Sequence, residues 1–145
     1  MSSDSTVDER KHPVIPAAEA HTFSPFTLVA LVQAVVYIAT GIWPFASMRT
    51  FLLVTGPKVD LWLVKTVGAL VTVIGAVIGL AGIRRQRSPE VALLAIGSAA
   101  TLTGIDVYYV AKRRISRVYL LDAVGETVLI LAWLWALAKP SRQER

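Results

Sequence analysis

Four stretches of the chain are almost unbrokenly apolar: residues 27–46, 61–83, 90–111 and 118–138. Each is about the 20 residues that a helix needs to cross a hydrocarbon layer roughly 30 Å thick. None carries the charged stripe by which a surface helix meets water. The pattern predicts an all-α polytopic membrane protein, a four-transmembrane-helix bundle with polar tails at residues 1–26 and 139–145. Local signals mark the ends. Asp60 is placed to cap the second span after the Gly56-Pro57 turn. Ser88-Pro89-Glu90 offers the third span a cap, a first-turn proline and an acid at the positive end of the helix dipole. Pro44 falls near the end of its span, where a kink costs least. Trp43, Trp62, Tyr108, Tyr109 and Tyr119 gather at one membrane level, and Trp133 and Trp135 near the other.

Composition sharpens this picture. Of the 145 residues, 54% are hydrophobic and 17% charged, against about 45–50% and 25% in soluble domains. The net charge of +5 does not point to nucleic acid, because the bases flank apolar spans, where they set topology. The basic run AKRRISR is suited to lipid phosphates. The first 26 residues, rich in Ser, Asp, Glu and Pro, lack the apolar run of a secretory signal and are expected to be disordered. There is no cysteine, and His12 and His21 both precede the first span. No thiolate, haem or zinc site is therefore expected inside the bilayer, and no cofactor. HExxH, a Walker A loop and GxGxxG are all absent.

The second and fourth spans echo one another. LWLVKTVGALVTVIGAVIGLA aligns with VYLLDAVGETVLILAWLWALA without a gap, placing Gly68 opposite Gly125 and Val67 opposite Val124. Gly75 and Gly79 meet Ala132 and Ala136, and Thr40-Gly41-Ile42 in the first span echoes Thr103-Gly104-Ile105 in the third. Chance alignment of Val, Leu, Ala and Gly is one reading. A duplicated helical hairpin, with its pseudo-twofold axis along the membrane normal, is the other. On that reading FLLVTGPKVD is a loop inserted in the first half. Gly68, Gly75, Gly79 and Gly125 are expected at helix-packing faces, since small residues let helices approach closely in lipid.

Four charges interrupt the spans: Lys65, Asp106, Asp122 and Glu126. At 1.5 Å per residue, Asp122 lies about 6 Å and Glu126 about 12 Å into the fourth helix. By topology all four share one half of the membrane. A charge at the bilayer centre costs about 2.5–3.5 kcal/mol on insertion scales, so inward-facing partners are expected. Lys65 can alternatively snorkel to the interface, Asp122 can rest on the helix dipole, and Asp106 can pair with Lys65 for packing alone. Glu126 is too deep for such solutions and is the leading candidate for a ligand contact or a protonatable site.

The segments YIATGIWPF and TGPKVDLWLVKTVGALVTVIGAVIGLAG, followed by a second hairpin of equal size, resemble the small four-helix DoxX-like membrane proteins over residues 27–138. The resemblance rests on length, hairpin duplication and glycine-rich second spans, and it transfers no site residue. It implies a bacterial inner-membrane protein whose relatives include accessory subunits of membrane oxidoreductases. Three functions are open. The chain binds or moves a small molecule, lipid or ion through its polar cluster, acting as a homodimer if it transports. Alternatively it anchors a membrane partner protein through its packing faces, or it is an intramembrane enzyme with Glu126 as acid or base. A polar cavity open toward Asp122 favours the first, and a flat surface of small residues the second. A lipid-sized cleft walled by Glu126 favours the third.

Four spans place both termini on one side, with eight bases there and six opposite. The excess predicts cytoplasmic termini. The absence of native cysteine makes single-cysteine labelling a direct check. In intact cells a membrane-impermeant maleimide should modify a cysteine at Ser116 and spare one at Ser141. The reverse pattern would invert the orientation.

Overall fold

The computed structural model describes residues 24–139. Most of the polar tails read from the sequence, residues 1–23 and 140–145, lie outside that range. The described chain forms five helices: α1 (Pro25–Ala46), α2 (Met48–Thr55), α3 (Leu61–Ile83), α4 (Pro89–Ala111) and α5 (Tyr119–Ala138). Helices α1, α3, α4 and α5 are each long and apolar enough to cross a membrane. The protein is an all-α four-helix membrane bundle.

Two spans start in the same way. Ser24 Oγ accepts from Thr27 N at 3.2 Å ahead of Pro25, and Ser88 Oγ accepts from Val91 N at 3.2 Å ahead of Pro89. The first helix thus begins at Pro25, two residues ahead of the apolar run read from residue 27, because the Ser24 cap and the first-turn proline start it there. Asp60 departs from expectation. It occupies the N-cap position of α3, but its side chain makes no capping hydrogen bond.

The segment expected as an inserted loop instead contains α2. Ser47 ends α1 and caps α2 by accepting from Thr50 N at 3.3 Å. Trp43 Nε1 donates to Thr50 Oγ1 at 2.9 Å, and the Trp43 and Phe51 rings meet edge to face at 5.7 Å. Gly56 closes the helix at φ 87°, a left-handed conformation that suits glycine.

The long helices run up-down-up-down, each antiparallel to the next. Contacts between α1 and α3 fix the register: Gly41 lies against Gly68 and Thr72, Ala34 against Gly75 and Gly79, and Ala30 against Gly82. A Cβ added to Gly68 would lie 2.6 Å from the Gly41 carbonyl oxygen, and one on Gly75 would lie 2.8 Å from Tyr37 Cβ. Real Cβ atoms do not approach so closely, so α1 and α3 touch almost backbone to backbone. Dispersion between closely packed surfaces supplies much of the attraction between helices in lipid.

Gly125, which aligns with Gly68, behaves differently. A Cβ there would meet nothing within 4 Å, and the same holds at Gly97 and Gly104. The α4–α5 hairpin therefore does not reproduce the glycine seam of α1 and α3.

The packed core lies toward the end of the bundle that holds Ser24 and Lys139. Phe26, Ile78, Ala95, Trp133 and Ala136 fill it, with the Phe26 and Trp133 rings edge to face at 5.0 Å. Elsewhere the helices present large apolar side chains outward. Val35, Leu70, Leu93, Leu121 and Leu131 are all more than half exposed, on four different helices. Water would penalise that surface heavily, and hydrocarbon does not. Threonines within the spans turn inward on their own backbones: Thr66, Thr72, Thr101 and Thr127 donate to carbonyls four residues earlier at 2.7–3.0 Å.

The two glycine environments make a direct contrast. Gly68→Val should lower unfolding stability in detergent by about 1–3 kcal/mol through overpacking at the α1 backbone, while Gly125→Ala should leave it within about 0.5 kcal/mol. Reversible unfolding of the two variants in mixed micelles measures both values.

Candidate functional site

The site is built from α1 outward. Gln33 and Tyr37 lie one helical turn apart and are almost wholly buried. Gln33 Nε2 donates to the Ala95 carbonyl at 3.0 Å, and Gln33 Oε1 accepts from Trp133 Nε1 at 2.6 Å. Tyr37 Oη donates to Glu126 Oε2 at 2.9 Å and lies 3.3 Å from Ser98 Oγ. One face of α1 thereby reaches both helices of the second hairpin. An unpaired polar group in hydrocarbon costs several kcal/mol, so these bonds set the relative height of the helices.

Above Tyr37 the helices part around a half-open space. A cavity of about 790 Å³ occupies the half opposite the packed core. Its walls are mainly apolar, with Val67 and Val71 of α3 and Leu102 and Ile105 of α4. Phe51, Val54 and Thr55 cover it, which gives α2 a structural role as a roof, and Lys58 and Arg114 stand in the connections at its mouth. Lys58 is tethered there, its Nζ donating to the Thr55 carbonyl at 3.1 Å and lying 4.9 Å from the centre of the Tyr119 ring.

Three of the four intramembrane charges come together in this space. Asp106 of α4 faces Asp122 and Glu126 of α5, and all three line the cavity. Asp106 and Glu126 are buried, at 6% and 4% exposure. Glu126 has the Tyr37 hydroxyl as a donor. Asp106 Oδ2 has no hydrogen-bond partner among the described residues, nor does the buried Thr103 Oγ1 one turn away. Asp60, released from capping, also lines the cavity.

Lys65 does not join them. Its side chain is exposed on α3 and is absent from the cavity wall. The expected Lys65–Asp106 pairing is thus replaced by a carboxylate group without an internal cation. At helical spacing Lys65 lies on a different face from Val64, Val67 and Val71, which line the cavity. Among the described residues, no three acids converge in a way that could hold a metal ion.

The charge pattern of the spans does not point to Gln33, Tyr37 and Ser98. Their signal was present, since Gln33 is the sole amide side chain within the four spans and Tyr37 follows it at i+4.

Comparison with known protein families, characterised proteins and solved structures gives no match.

The Gln33 junction can be tested by a double-mutant cycle. Gln33→Leu strands the buried Trp133 Nε1 and should cost about 1–3 kcal/mol. In the Trp133→Phe background the same change should cost less, by about 1 kcal/mol or more, because the stranded donor is gone. Equal costs in both backgrounds would mean that the 2.6 Å bond adds nothing to stability.

Proposed function

We propose that this small membrane protein binds a small molecule with a substantial apolar body in the cavity between α2 and Tyr37, and moves or presents it across the membrane. The observation that carries this reading is the unpartnered Asp106 carboxylate oxygen, buried in the half of the bundle opposite the packed core and set in the wall of a cavity of about 790 Å³. Ligand sites are commonly concave spaces of about 300–1,000 Å³, apolar overall with a few converging polar groups. The arrangement has both features. Apolar walls supply binding energy, and the carboxylates and the Tyr37 hydroxyl orient the guest. Lys58 and Arg114 guard the mouth.

A second reading, as an anchoring subunit for a membrane partner, is supported by Gly97, Gly104 and Gly125, whose Cα positions face open space. Open glycines permit another helix to approach, within a homodimer or a heteromeric complex. The two readings are compatible, since a partner on α4 and α5 would leave the cavity in place.

A thermal-shift screen of purified protein in detergent, against lipids, quinones and small metabolites, tests the first reading. A ligand that stabilises the natural sequence should lose most of its effect in Asp106→Asn and Glu126→Gln. The glutamine can still accept from Tyr37, so that variant should fold. Stabilisation of all three proteins alike, or no stabilising compound, would overturn the cavity as a ligand site.

A further inference from the structure

The polar groups of the cavity also specify the sign of its guest. We propose that the cavity takes an amphiphilic organic cation, its ammonium head beside Asp106 and Asp122 and its apolar body along α3 and α4. This rests on the reading of the cavity as a ligand site.

Four acids line the space, Asp60, Asp106, Asp122 and Glu126, against two bases, Lys58 and Arg114. The bases sit in the connections at the mouth, and Lys58 is already engaged with the Thr55 carbonyl and the Tyr119 ring. No lysine or arginine from a spanning helix enters the cavity wall. The deep carboxylates therefore face one another with no cation between them. Tyr37 satisfies one oxygen of Glu126, while Asp106 Oδ2 is 94% buried at the residue level and has no donor. An N–H-bearing cation would supply both the missing charge and the missing hydrogen bond, and such charge-assisted bonds are about twice as strong as neutral ones.

Two further features separate an organic cation from an inorganic one. The acids do not converge as metal ligands do. The wall also includes Tyr37, Trp43, Phe51, Tyr109 and Tyr119, aromatic faces that attract ammonium groups. A hydrated metal ion would leave those faces and the valines of α3 unused.

A route for the apolar body exists as well. A groove of about 670 Å³ runs between α3 and α4 and shares Tyr37, Val71 and Leu102 with the cavity wall. Its remaining wall includes Ile74, Leu93 and Leu94. An amphiphile can lodge its head at the carboxylates and lay its tail through this groove toward lipid.

The test uses two probes of the same shape, one with a charged N–H head and one without: 4-phenylbutylammonium and its carbon isostere, pentylbenzene. Full-length protein in lipid nanodiscs is titrated calorimetrically with each, and empty nanodiscs correct for partition into lipid. The ammonium should bind at least about tenfold more tightly than the isostere. Asp106→Asn and the more exposed Asp122→Asn should each weaken its binding by a similar factor, and Lys65→Gln, outside the cavity, should not. Should Asp106→Asn fail to fold, Asp122→Asn carries the comparison. Equal binding of both probes, or tighter binding of pentylbenzene, would overturn the cation proposal and leave the cavity as a site for neutral molecules. Binding of neither probe overturns it too. In that case a neutral hit in the thermal-shift screen preserves the ligand-site reading, and an empty screen removes both.

Discussion

Gln33 and Tyr37 fix this bundle because lipid offers their polar atoms no alternative. In water each would trade a protein partner for solvent at little net cost, about 1 kcal/mol. Between apolar helices the amide must find the Ala95 carbonyl and the Trp133 indole, and the phenol must find Glu126. A slide of one helical turn along α1 would break all of these at once. Apolar packing is tolerant of such slides, whereas hydrogen bonds are not. The polar face of α1 thus selects one register among many that dispersion alone would permit.

That register divides the molecule. Below Gln33, aromatic and small residues alternate closely enough to fill the space, with Phe26 against Trp133 and Ala30 against Gly82. Above Tyr37 the side chains facing inward on α3 are mostly valine and leucine, α4 adds Leu102, Ile105, Asp106 and Tyr109, and α5 contributes Asp122 and Glu126. These do not meet across the bundle axis. Glycine contacts draw α3 tightly to α1, and α3 meets α4 over far fewer residues. Close approach on one side of the bundle leaves space on the other. The cavity is in this sense a consequence of the glycine seam, and α2 folds over the opening that results.

The fold was largely legible because membrane spans are written in the simplest code a sequence has. Length and hydropathy place α3 at Leu61–Ile83 as read, and α4 and α5 within a residue of their structural bounds. The short helix α2 was hidden because MRTFLLVT is too brief to span and too apolar to read as a surface helix, although Ser47 and Gly56 bracket it. The site was half legible. Charges in apolar runs are conspicuous, so Asp106, Asp122 and Glu126 could be picked out. Which way they face depends on helix rotation, and the nearly uniform apolarity of the spans says little about rotation. Lys65 shows the difficulty: its alignment with Asp122 suggested a shared interior, yet it lies on the outer face of α3. Gln33 and Tyr37 escaped notice because uncharged polar residues pass readily as ordinary members of a span.

Stability alone gives no account of Asp106. Glu126 at least receives a hydrogen bond from Tyr37. Asp106 bears the cost of an acid within a membrane span, with one oxygen unserved and two other acids opposite. Burying an ionisable group rarely stabilises a fold even when it is paired, and here no cation is paired with it. A leucine of similar size would remove that cost and fill part of the cavity. The same position becomes intelligible once a guest is added, because a cationic group would satisfy the oxygen, balance the facing carboxylates and occupy the space together. An unmet polar atom in a cavity wall is the observation that the proposed guest accounts for.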